Sequence, residues 1–105
     1  MPKYLVQGSY TDEGLKGLLK EGGSKRRAMV EQLARHMGGR LETFYFAFGG
    51  DDFVIVLDLP SNMDMAATAI VAQASGMVKS RVTVLMTPEE VDQAVQRKVD
   101  FRPPQ

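Results

Sequence analysis

Three places in this 105-residue chain hold side chains able to do chemistry. The first is the run Gly22-Gly23-Ser24-Lys25-Arg26-Arg27. The glycines break one helix, and Ser24 is placed to cap the next. Backbone N–H groups at a helix start are unpaired and attract anions. Cations there run against the helix dipole, which favours acidic residues. A bound phosphate or carboxylate would resolve the conflict between dipole and side chains. A solvated basic turn paired with Asp or Glu elsewhere would resolve it equally. The second place is His36, the single histidine, near a helix C-terminus where the dipole favours a cation. A lone histidine can ligate haem iron or act as a base. Here the spaced His and carboxylate sets of a dedicated metal site are missing, and a capping or solvent-facing role is the plainer reading. The third place is Gly49-Gly50-Asp51-Asp52. Paired carboxylates do acid–base work when burial splits their pKa values. On a glycine-rich turn they instead shape the turn and face solvent. Tyr4, Tyr10 and Tyr45 can line a cleft with a polar tip or serve as packing. The candidate ligand contacts are therefore Ser24, Lys25, Arg26, His36, Tyr45 and Asp52.

Regular elements must position these groups. Lys3 to Tyr10 is rich in strand formers. Thr11 caps a helix with Asp12 and Glu13 in its first turn and Leu15, Leu18 and Leu19 as its stripe. Val30, Leu33, Ala34 and Met37 repeat at helical spacing before Gly38-Gly39. The stretch from Arg40 to Leu59 reads as a β-hairpin. Alternation places Phe44, Phe46 and Phe48 on one face and Leu41, Tyr45 and Ala47 on the other. In the return strand Phe53, Ile55, Leu57 and Leu59 oppose Val54 and Val56. A helix opens at Pro60-Ser61-Asn62, with Met63, Ala66, Ala67, Ile70, Val71 and Ala74 on one face. Val78 to Met86 is the fourth strand. Thr87-Pro88-Glu89-Glu90 starts a short last helix that runs to about Arg97.

This order predicts an α+β, ferredoxin-like βαββαβ domain over residues 1–105, with an antiparallel four-stranded sheet and an extra C-terminal helix. Such a sheet carries helices on one face and normally shows a polar open face. The hairpin is apolar on both faces, so a second sheet from another copy is the expected cover, as in a dimeric α/β barrel.

Composition bounds the function. The 13 basic and 13 acidic side chains cancel, which argues against a general nucleic-acid binder and favours self-association. An RNA-recognition module shares this element order, yet here the third strand opens acidically, Asp51-Asp52-Phe53. The absence of cysteine excludes disulfides, thiolate catalysis and Cys-ligated zinc. No apolar run approaches the ~20 residues of a membrane span, and Met1-Pro2-Lys3-Tyr4 has no signal-peptide pattern. A cytoplasmic location is expected, with no membrane partner and no cofactor. The seven methionines suit core and interface packing.

Several runs together resemble the GYD domain family of small bacterial and archaeal proteins. They are Lys3-Tyr4-Leu5-Val6, Gly8-Ser9-Tyr10-Thr11, Glu13-Gly14-Leu15-Lys16-Gly17-Leu18 and Gly22-Gly23-Ser24-Lys25-Arg26-Arg27. Phe44-Tyr45-Phe46-Ala47-Phe48-Gly49, Thr87-Pro88-Glu89-Glu90-Val91 and Arg102-Pro103-Pro104 complete the set. The family takes its name from a Gly-Tyr-Asp run in the hairpin turn; the matching residues here are Gly50-Asp51-Asp52. The resemblance implies a ferredoxin-like fold of the dimeric α/β-barrel type and no established activity.

The expectation is thus a small cytoplasmic homo-oligomer, a homodimer or a multiple of it. It would bind a small organic ligand, an anionic one included, between sheet and helices, as a sensor or accessory protein. The competing expectation is a dimeric-barrel enzyme, such as a cofactor-independent monooxygenase or an isomerase acting on a small aromatic substrate. A polar group with a perturbed pKa converging on an apolar pocket would separate the two.

Overall fold

The structure is a computed structural model that describes residues 1–104. Its order is β1 (Lys3–Tyr10), α1 (Asp12–Glu21), α2 (Gly23–His36), β2 (Arg40–Phe46), β3 (Phe53–Asp58), α3 (Asn62–Ala74), β4 (Val78–Leu85) and α4 (Pro88–Ala94). The strands form one antiparallel sheet ordered β2-β3-β1-β4, the ferredoxin-like arrangement expected from the element order.

The helix starts follow from their caps. Thr11, Ser61 and Thr87 each accept the backbone N–H three residues on, and Thr87 with Glu90 completes a reciprocal capping box. The break between α1 and α2 is Gly22, at φ 83°, where a side chain would be strained. Gly22, not Ser24, occupies the cap position of α2. Ser24 lies inside the helix, and no side chain caps its start.

The register assigns two faces. Tyr4, Val6, Gly8 and Tyr10 of β1 share the inner face with Leu57, Ile55 and Phe53 of β3. Lys3, Leu5 and Gln7 share the outer face with Asp58, Val56 and Val54. The core lies on the inner face, where Tyr4, Phe53, Ile55, Leu57, Leu59 and Met65 are buried. The Tyr4 hydroxyl donates to Asn62 Oδ1 at 2.7 Å, which fixes the start of α3 against β1.

Three expected facings differ. A bulge between Leu41 and Thr43 inserts one residue, so Leu41 packs on the core beside Phe44 rather than opposite it. Phe48 lies beyond the end of β2 and is fully exposed. On α3 the buried residues are Met65 and Thr68, while Met63, Ile70 and Val71 face outward. That helix is apolar most of the way round, so spacing alone does not select its buried side; the Tyr4–Asn62 anchor does.

At one end of the outer face sits a charge cluster. Asp58, nearly buried, lies 2.9 Å from Lys3 Nζ and 2.8 Å from Arg40 Nε. Burial pushes its carboxyl up, but the Lys3 hydrogen bond and the fields of Lys3 and Arg40 outweigh burial and hold it below the usual carboxylate range. A depressed folded-state pKa stabilises the fold above the unfolded value, roughly 3.9, and that contribution is lost as pH falls through the lower folded value. Asp51, hydrogen-bonded to Arg81, and Glu90, bonded to the Thr87 backbone, are lowered as well. The difference between parent and variant therefore isolates Asp58. We expect the melting temperature of Asp58→Asn to lie below that of the parent at pH 7, and the gap to close as pH drops below about 4. A gap of constant size down to the acid limit would contradict the assignment.

Candidate functional site

Between the inner face and the helices lies a cavity of about 530 Å³. Its walls come from all four strands and from α1, α2 and α3, and Val6, Val30, Leu33, Ile55, Met65 and Ala69 make much of them apolar. The size is that of a small-molecule pocket.

The charged side chains of the lining, Glu21 and Arg26, come from α1 and α2. Arg26 enters from the first turn of α2, with its side chain only 13% exposed. Its Cζ lies over the Tyr10 ring, 5.8 Å from the centroid, within cation–π range. The Tyr10 ring is braced in turn by Phe53, with centroids 5.2 Å apart. Gly17 leaves space for the guanidinium: a Cβ there would stand 2.8 Å from Arg26 Nη2. Glu21 Oε1, at the end of α1, lies 3.5 Å from the same Nη2. Arg26 Nε is buried and has no hydrogen-bond partner among the described residues. Burial raises the Tyr10 hydroxyl above its ordinary value, Arg26 acts against this and Asp52 with it, so the phenol stays protonated at neutral pH.

The six residues singled out from the sequence do not form one cluster. Arg26 lines the cavity. Ser24 lines a separate hollow of about 260 Å³ with Gly23, Arg27, Phe44 and Phe46. Lys25 is exposed on α2, and His36 is exposed in its last turn. Tyr45 stands on the outer face, opposite Val54, and is 69% exposed. Asp52 ties the hairpin to β1: its Oδ2 accepts the Tyr10 N–H at 2.9 Å, and its own N–H donates to the Gly8 carbonyl at 2.7 Å. Asp51, which stands at the tyrosine position of the Gly-Tyr-Asp run, accepts two hydrogen bonds from Arg81 of β4.

Glu21, Thr68, Ser75 and Ser80 also line the cavity and were not among those six. For Arg26 the separating signal is periodicity. Arg26, Val30, Leu33 and Met37 fall at i, i+4, i+7 and i+11, so this cation alone of its run extends the apolar stripe of α2. Ser80 has an equivalent signal, since it alternates with Val78 and Val82 on the inner face.

Among the described residues no group of three or more His, Cys, Asp or Glu could hold a metal ion, and no helix is long and apolar enough to cross a membrane. Comparison with curated proteins and with solved structures found no match. The model of the GYD domain family matches residues 4–95, a span that takes in all but the first residue of the sheet, all four helices and every wall of the cavity. The chain belongs to the GYD domain family.

Proposed function

We propose that the protein is a small homo-oligomeric binding protein of the cytoplasm, holding a small and largely apolar organic ligand between helices and sheet as a sensor or accessory component. The observation that supports this reading is the 530 Å³ cavity with a largely apolar wall and one charged end, at Glu21 and Arg26. His36, Tyr45 and Asp52, the groups that an enzymatic reading would draw on, do not converge on it. The homo-oligomer is supported by the outer face, where Leu5, Val54 and Val56 are only half-buried and Tyr45 is 69% exposed.

An apolar fluorescent probe, N-phenylnaphthylamine, tests the cavity. It should bind saturably, at one molecule per chain. Ala69→Phe places a ring into the space and should weaken binding by about tenfold or more, the loss of roughly 1.4 kcal/mol, without changing the circular dichroism. Probe binding that never saturates, or that ignores the substitution, would remove the reading. Light scattering at micromolar concentration should give a dimer or a multiple of one; a stable monomer would remove the oligomer from it.

A further inference from the structure

We propose that the cavity selects a hydrophobic carboxylate, with the carboxylate held by the guanidinium of Arg26 and the apolar body lying among α2, α3 and the sheet. The inference rests on the binding reading above and adds the chemical class. Its centre is the unpartnered Nε–H of Arg26. A buried donor without an acceptor is unfavourable, and a ligand that supplies the acceptor is bound preferentially for that reason. The surroundings form a cradle for a guanidinium rather than a chance burial. The Tyr10 ring covers it, Gly17 makes room for Nη2, and the side chain is 13% exposed.

Glu21, the anion beside it, does not satisfy the group. Glu21 Oε1 approaches Nη2 at 3.5 Å, well beyond the roughly 2.7–2.9 Å of a charge-assisted hydrogen bond. Its side chain is 38% exposed, so it reaches solvent and can be displaced toward it. A carboxylate has two coplanar oxygens that match Nε–H and Nη2–H side by side, which an alcohol or a lone carbonyl does not. The rest of the wall sets the other half of the ligand. Met29, Leu33, Ile55, Met65 and Ala69 offer no charge to a polar body and reward an apolar one. Small hydrophilic acids lack that half, and uncharged hydrocarbons lack the first.

Octanoate and octanol share a tail and differ at the head, so their competition against bound N-phenylnaphthylamine reads the selection. In the parent protein octanoate should displace the probe at a concentration about tenfold or more below octanol, the range expected for a hydrogen bond to a charged group. Arg26→Met should abolish that preference and leave octanol displacement unchanged. Arg26→Lys keeps the charge but not the paired donors, and should retain only part of it. Glu21→Gln removes the competing anion and should strengthen octanoate severalfold without affecting octanol. Should Arg26→Met fail to fold by circular dichroism, the parent ratio and the Lys and Gln variants decide. Equal displacement by the two compounds in the parent, or a preference that survives Arg26→Met, overturns the carboxylate assignment and leaves the cavity reading standing. A probe that does not bind at all overturns both.

Discussion

Leu59→Ala should lower the unfolding free energy by about 3 kcal/mol, within the range for truncating a buried leucine. Leu59 has no exposed surface and follows directly on β3. Its N–H donates to the Pro2 carbonyl at 3.2 Å, which holds the backbone in place. The wall beside it is itself backbone: a Cβ on Gly39 would stand 2.9 Å from Leu59 Cδ2. A void there is bordered by main chain tied into the turn between α2 and β2, so it cannot close by side-chain rotation. Cost rises with the cavity that remains. Leu19→Ala is the matched control, because Leu19 on α1 is 88% exposed, and it should change stability by no more than about 0.5 kcal/mol. Urea titration at one fixed protein concentration measures both. A Leu59→Ala cost below about 1 kcal/mol would mean that the site collapses freely.

Gly8→Ala should cost about 2–3 kcal/mol through overpacking. A Cβ at Gly8 would fall against the Lys79 carbonyl oxygen and 2.7 Å from Ser80 Cα. Both are main-chain atoms of β4, and no flexible side chain can yield. Nor can β1 shift the other way, since the Gly8 carbonyl accepts the Asp52 N–H at 2.7 Å from the hairpin. The strand is held from both sides at the one residue that lacks a side chain. Gly49→Ala is the contrasting change: nothing lies within 4 Å of its Cβ, and it should alter stability by no more than about 0.5 kcal/mol. The same denaturation series reads the pair. A Gly8→Ala protein as stable as the parent would show that β4 can move away.

These sites also mark what local pattern can and cannot express. β1 and the starts of α1, α3 and α4 are written in short-range chemistry: strand formers, and Thr11, Ser61 and Thr87 as caps. The bulge in β2 carries no such mark. Glu42 is neither Gly nor Asn, and the Lys3 Nζ–Glu42 Oε1 contact at 2.6 Å comes from a residue 39 positions away. The buried side of α3 is set in the same long-range manner, by Tyr4 reaching Asn62. The cavity is more distributed still, because its lining runs from Val6 to Ser80. Arg26 was visible as a cation at a helix start. Its inward course follows from its phase with Val30 and Leu33, and its unpaired Nε from Tyr10 and Gly17 on neighbouring elements.

The bulge in β2 bears on how copies of this protein meet at high concentration. Equal numbers of positive and negative side chains leave no net repulsion to keep them apart. A four-stranded open sheet has two free borders, here β2 and β4, and flat borders invite endless strand-by-strand growth into ribbons. The extra residue in β2 increases its twist and spoils its match to an incoming strand, while β4 carries Lys79 and the Arg81–Asp51 ion pair along its length. Both borders are thereby poor templates for polymerisation, and concentrated solutions should stay free of fibrils despite the absence of a charge barrier.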